Sequence, residues 1–125
     1  IPKAQLTEVI IELLRRASIR LPQSVKDGLQ QALLIEDEEI ARHQLETIRE
    51  NISIAEAQEI PVCQDTGVPI FFVKVGKNWP AGNEVAEAIT EGTRKATKLI
   101  PLRENVIHPL TKENSGTNTG WPTAR

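Results

Sequence analysis

A run of five residues, Cys63-Gln64-Asp65-Thr66-Gly67, places a thiol, an amide, a carboxylate and a hydroxyl side by side. Cys63 is the single cysteine of the sequence. A lone cysteine is usually a small buried hydrophobic residue. Three consecutive hydrogen-bonding side chains beside it would, however, be costly to bury without partners. The run therefore marks Cys63 as a candidate functional residue in a loop.

Several kinds of chemistry could use this thiol. A nucleophilic cysteine needs a nearby base, but both histidines, His43 and His108, are far from Cys63 in the sequence. A redox switch needs a second thiol, which the sequence lacks. A metal or iron–sulfur site could take Cys63 as one ligand and draw the others from other segments or chains. The spacing leaves these alternatives open, but a single cysteine excludes a disulfide within this chain and a closed Cys₄ or Cys₂His₂ zinc site.

The composition narrows the classes of partner. The 125 residues include 39% hydrophobic and 26% charged residues, with a net charge of -2 and 3% aromatic residues. These values predict a folded domain and give no electrostatic case for nucleic acid or an anionic membrane. The apolar runs are far shorter than the roughly 20 residues that span a bilayer. A single unpaired thiol favours a reducing, cytoplasmic location.

The elements that must position the loop begin with helices. Apolar residues recur at helical spacing on one face near the start of the chain: Leu6, Val9, Ile10, Leu13, Leu14 and Ala17. Pro22 indicates the start of a second helix. Four acidic residues, 36–39, favour the N-terminus of a third helix, which continues toward Glu59. The first half of the chain is therefore predicted to form three or four packed helices.

The pattern changes at Pro61. Residues 68–75 are mostly apolar, β-branched or aromatic, and Gly76 closes the run, which predicts a strand buried on both faces. A further helical pattern covers residues 83–98, and Pro101 follows it as a helix-breaking residue. The expected fold class is α/β of the α+β type, with a helical N-terminal half, a small sheet containing the buried strand, and one further packed helix.

Three segments resemble a known family. Pro61-Val-Cys-Gln-Asp-Thr-Gly67 resembles the cluster-binding segment of the class I, iron–sulfur-dependent fumarases, which the two-subunit L(+)-tartrate dehydratases share. Leu102-Arg-Glu-Asn-Val-Ile-His-Pro-Leu110 and Lys112-Glu-Asn-Ser-Gly-Thr-Asn-Thr-Gly120 follow in the order of that family. The chain looks most like the alpha subunit of the split prokaryotic form. The resemblance covers most of the chain and is strongest from Glu59 onward.

The resemblance implies roles for four residues. The family holds a [4Fe–4S] cluster on three cysteines and leaves one iron open, and Cys63 matches the first of those cysteines. Gln64 and Asp65 match positions that contact the bound dicarboxylate, and Asp65 is also the candidate catalytic residue for organising proton transfer. Arg103 matches an arginine that binds a substrate carboxylate, a task for which the planar guanidinium is suited.

The implied activity is that of a hydro-lyase, with the open iron as a Lewis acid. We expect reversible hydration of fumarate to L-malate. The alternatives are an L(+)-tartrate dehydratase alpha subunit and a non-catalytic helical interaction module in which Cys63 is structural. The enzyme hypothesis predicts that Cys63, Asp65 and Arg103 lie around one cavity, and their placement on opposite faces of the protein would count against it.

The sequence departs from the family pattern in two ways, since it has one cysteine where the cluster needs three and it ends at Arg125, where the family continues into a longer domain. We therefore expect residues 1–125 to be the N-terminal portion of the alpha region, a single truncated domain. Alone it should hold no intact cluster and show no activity. The resemblance implies a beta subunit, or a C-terminal domain of the same enzyme, as partner, with a small dicarboxylate substrate and assembly into a homo- or hetero-oligomer.

Overall fold

Four helices form the framework of the protein. The computed structural model describes residues 2–79 and 84–121. In chain order the helices are α1 (Lys3–Ile19), α2 (Gln23–Ile35), α3 (Glu39–Gln58) and α4 (Glu84–Leu99). None of the described helices is long and apolar enough to cross a membrane.

The helix boundaries follow from local sequence. Pro22 occupies the N-cap of α2 with φ −55°, a value that proline fixes in advance. α3 begins within the acidic run and ends at Glu59, which adopts a left-handed φ of 53°. The Ile60 N–H then donates to the Ala55 carbonyl at 3.1 Å, which satisfies a free carbonyl at the helix end. The predicted helices of the N-terminal half are confirmed, as is the helix near 83–98, although residue 83 itself lies outside the described residues.

The core lies where α1 packs against α4. Its buried members are all aliphatic: Ile11, Leu14, Ile19, Ala96, Ile100 and Leu102. At the edge of this interface the Lys3 ammonium donates to the Glu87 carboxylate at 2.6 Å, and this hydrogen bond raises the pKa of Lys3. α2 packs mainly on α3, where Lys26 and Glu56 form an ion pair between the two helices.

A glycine allows α1 and α4 to approach closely. Ala88, Gly92 and Ala96 lie at four-residue intervals on the buried face of α4. A Cβ atom built on Gly92 would lie 2.6 Å from the Cβ of Ile10, so any larger residue must push the helices apart. Gly28 of α2 offers a contrast, because nothing lies within 4 Å of a Cβ at that position.

We expect Gly92→Ala to lower the free energy of unfolding by about 2 kcal/mol, because overpacking at Ile10 outweighs the gain in helix propensity. Gly28→Ala is the matched control and should raise it by about 0.5–1 kcal/mol, since only the propensity term operates there. Urea denaturation of the complete subunit measures both changes. Equal stabilisation by the two alanines would contradict the close approach of α1 and α4.

The predicted sheet is wrong. Within residues 2–79 and 84–121 there is no β-strand, and a single antiparallel bridge joins Ile107 to Asn114. Residues 68–75 have no regular secondary structure, and Phe72 is 96% exposed rather than buried. The apolar composition predicted the strand, but a strand also needs a neighbouring extended segment to pair with, and the described residues provide none. Within residues 68–75, all of which the structure describes, Phe71 packs against the core. The described fold is therefore helical, not α/β.

Candidate functional site

The loop that carries Cys63 is hydrogen-bonded to two helices where it begins, whereas its next residues are exposed. The Val62 N–H donates to the Ser18 carbonyl at the end of α1 at 3.0 Å, and the Asn51 amide of α3 donates to the Val62 carbonyl at 2.7 Å. Cys63 is exposed and forms no disulfide, and Gln64 is also exposed. Two helices thus fix the start of the loop while the thiol faces solvent.

The second segment of the site follows α4. Ile100, Leu102 and Val106 are buried and fasten this segment to the core. The Leu102 N–H donates to the Thr97 carbonyl at 3.1 Å, which ties the segment to the last turn of α4. Arg103 lies between the buried residues and is exposed. The burial of its neighbours therefore determines where the guanidinium reaches the surface.

Three hydrogen bonds join the two segments. The Arg103 backbone N–H donates to the Thr66 hydroxyl at 3.0 Å. The Asn105 amide donates to Oδ1 of Asp65 at 2.7 Å and to the Gly67 carbonyl at 2.9 Å. Asp65 and Asn105 are 40 residues apart in sequence, so these bonds form only in the folded protein.

A buried asparagine supports the second segment from the loop at 115–120. Asn118 is 7% exposed and has a left-handed φ of 55°, a conformation that asparagine tolerates better than most residues. Its Oδ1 accepts from the N–H groups of Asn105 at 2.9 Å and Val106 at 3.3 Å. Its amide donates to the Arg103 carbonyl at 2.9 Å and to the Thr97 hydroxyl at 3.2 Å. One side chain thus holds the backbone of Arg103, Asn105 and Val106.

Asp65 and Arg103 present opposite charges on an open surface. Oδ2 of Asp65 lies 4.0 Å from a terminal guanidinium nitrogen of Arg103, and the two side chains are 64% and 59% exposed. An ion pair at this distance and exposure stabilises the fold little. Both charged groups are therefore free to contact another molecule at small energetic cost.

An apolar groove lies beside the Cys63 loop, but the three predicted residues do not line it. A groove of about 370 Å³ lies between α1 and residues 66–72, and its lining is mainly apolar. Cys63, Asp65 and Arg103 do not line this groove. Asp65 and Arg103 come together, Cys63 lies two residues before Asp65 in the same loop, and all three side chains are exposed.

The donor set fits one part of an iron–sulfur site. The exposed thiol of Cys63 is accessible, and a thiolate is the ligand that such clusters use. In the part of the chain that the structure describes, no group of three His, Cys, Asp or Glu residues could hold a metal ion. A cluster at Cys63 would therefore need further ligands from outside the described residues.

Neither motif nor resemblance assigned a role in this site to Thr66, Asn105 or Asn118. Asn118 lies in the segment at 112–120, which resembles the family but was given no role in the site. The tolerance of asparagine for a left-handed backbone could have pointed to Asn118. No sequence signal pairs Asn105 with Asp65, because their contact depends on how α4 packs.

Comparison with known proteins identifies the family. The sequence model described as fumarate hydratase (Fumerase) matches residues 7–123. The chain therefore belongs to the fumarate hydratase family.

The relatives are subunits of a dehydratase. A protein of Methanocaldococcus jannaschii, named provisionally as L(+)-tartrate dehydratase subunit alpha, is 48% identical over 118 residues, which are 93% of this chain and 41% of that protein. The L(+)-tartrate dehydratase subunit alpha of Escherichia coli strain K12 is 34% identical over 116 residues, which are 93% of this chain and 38% of that protein. The chain thus spans about two fifths of the length of these relatives.

Proposed function

We propose that this chain is part of an iron–sulfur hydro-lyase that reversibly hydrates an unsaturated dicarboxylate. The observation that carries the proposal is that the carboxylate of Asp65, in the loop that also presents the exposed thiol of Cys63, lies 4.0 Å from the guanidinium of Arg103. Membership of the fumarate hydratase family supports the same activity. A structural cysteine in an interaction module is less consistent with a thiol at the surface.

Each residue has a distinct role in the proposed reaction. The Arg103 guanidinium binds one carboxylate of the substrate through two parallel N–H donors. The Gln64 amide donates a further hydrogen bond to the dianion. Asp65 Oδ2, the oxygen that Asn105 does not hold, is available to take or return the proton on the carbon adjacent to the one that bears the hydroxyl group.

Cys63 would hold the cluster as one of three cysteine ligands. When bound, the cluster would supply a Lewis-acidic iron that weakens the bond between the substrate carbon and its hydroxyl group. The remaining ligands would come from the rest of the subunit or from a partner, because the described residues provide one thiol.

The substrate and the partner are part of the proposal. We propose fumarate and L-malate as the substrate pair. The names of the relatives favour L(+)-tartrate as the second candidate, which differs from L-malate by one hydroxyl group. Those names also describe alpha subunits, so we propose a beta subunit as the partner. Rates of the complete enzyme with L-malate and with L(+)-tartrate, measured under the same anaerobic conditions, distinguish the two substrates.

Anaerobic reconstitution with iron and sulfide tests the proposal. We expect the complete enzyme to gain the broad visible absorption of a cluster, and Cys63→Ser and Cys63→Ala to reduce that absorption and the dehydration rate by at least about tenfold, because one ligand is lost. Ser53→Ala is the control, since Ser53 lies on the exposed face of α3, where its hydroxyl bonds only the Arg49 carbonyl. Full absorption in both Cys63 variants would refute the role of this thiol.

A further inference from the structure

The two oxygens of the Asp65 carboxylate have different surroundings. Oδ1 accepts a hydrogen bond from the Asn105 amide at 2.7 Å, whereas Oδ2 lies 4.0 Å from the Arg103 guanidinium. An aspartate that is 64% exposed would otherwise rotate freely about its side-chain bonds. The bond to Asn105 selects one orientation, in which Oδ2 is on the same side as Arg103.

Asn105 is itself held in place. Its amide bonds the Gly67 carbonyl at 2.9 Å as well as Asp65, so both amide hydrogens are used on the Cys63 loop. Its backbone N–H donates to the buried Oδ1 of Asn118 at 2.9 Å. The Asn105 amide, which orients Asp65, is therefore held in place by a residue of the protein interior. An exposed loop residue without such a contact would not be fixed in this way.

We infer that Asn105 is a positioning residue, which orients the Asp65 carboxylate so that its free oxygen and the Arg103 guanidinium face the same bound dicarboxylate. This inference rests on the proposed function. Asn105 does not exchange protons in this scheme, because an amide is not a base at neutral pH. It acts through Asp65, and its effect should disappear when the Asp65 carboxylate is removed.

A double-mutant cycle on the complete, cluster-loaded enzyme tests the inference. Asp65→Asn alone should lower kcat by about 10³-fold if it moves the proton. Asn105→Ala alone should lower kcat by about tenfold with KM changed less than threefold, because Arg103 still binds the substrate. The double variant should be no slower than Asp65→Asn alone. A purely structural role for Asn105 would instead make the two losses multiply.

Asn114→Ala is the matched control. The Asn114 amide donates to the Glu104 carbonyl at 2.7 Å and its Oδ1 accepts from the Gly116 N–H at 2.9 Å, so it loses as many hydrogen bonds as Asn105 but does not touch Asp65. Its small loss in kcat, below about threefold, should multiply with that of Asp65→Asn because the two sites are independent.

Crystal structures of the Asn105→Ala and Asn114→Ala enzymes give a readout that does not depend on turnover. We expect several Asp65 rotamers in the first variant and one in the second. A single unchanged Asp65 rotamer in Asn105→Ala, or multiplying losses in the cycle, overturns the inference while leaving the proposed function intact. Absence of cluster absorption and of dehydration in the wild-type enzyme instead refutes the proposed function. The Asp65 rotamers in the two variants then still show whether Asn105 orients the Asp65 carboxylate.

Discussion

Arg103→Met in the complete enzyme is expected to lower kcat/KM for the dicarboxylate by at least about a hundredfold, because two charge-assisted hydrogen bonds to a carboxylate are lost at roughly 1.5–3 kcal/mol each. Most of the loss should appear in KM, since the guanidinium contacts the same carboxylate before and during the reaction. Steady-state rates over a range of L-malate and L(+)-tartrate concentrations measure both parameters.

Two further variants make the Arg103 prediction specific. Arg103→Lys keeps the charge but loses the planar pair of donors, so we expect an intermediate loss of about tenfold. Arg94→Met is the matched control, because Arg94 pairs with Glu91 on the exposed surface of α4 and should leave kcat/KM unchanged. A wild-type KM in Arg103→Met would show that this arginine does not bind the substrate.

The helices could be predicted because their signals are local. The apolar spacing in α1 and the proline before α2 act within one or two turns of the chain. The mutual packing of α1 and α4 could not be predicted, since it depends on the absence of a side chain at Gly92, opposite Ile10. A glycine inside a helix normally indicates only reduced helix propensity.

The strand prediction failed because strand formation depends on distant residues and not on local signals alone. The run at 68–75 has the composition of a buried strand, but strand formation is decided by a pairing partner elsewhere in the molecule. Phe72 and Ile70 are 96% and 74% exposed in the described structure. Composition therefore identified an apolar segment without identifying what it contacts.

The candidate site was predictable only in part. The residue types of the run at 63–67 singled out Cys63, and the resemblance singled out Arg103; the structure brings Asp65 and Arg103 together. Asn105 and Asn118 became visible only in the folded chain, because each acts across a long sequence separation. The roles of Cys63, Gln64, Asp65 and Arg103 stay predictions that the proposed experiments test.

Asn118→Gly is expected to lower the free energy of unfolding of the complete subunit by about 3 kcal/mol, because the N–H groups of Asn105 and Val106 and the Arg103 carbonyl lose a buried partner at roughly 1 kcal/mol each. Glycine accepts the left-handed φ of 55°, so the loss reports on the amide and not on the backbone. Urea denaturation measures the change.

Lys112→Gly is the control that distinguishes the loss of the Asn118 amide from the effect of placing glycine at a left-handed φ. Lys112 has a similar left-handed φ of 63° but an exposed side chain, so glycine should be neutral or stabilising there by up to about 1 kcal/mol. If Asn118→Gly were equally harmless, the buried amide would not hold the segment at Arg103. If it is destabilising as expected, turnover should also fall, because the same amide fixes the backbone that carries both Arg103 and Asn105.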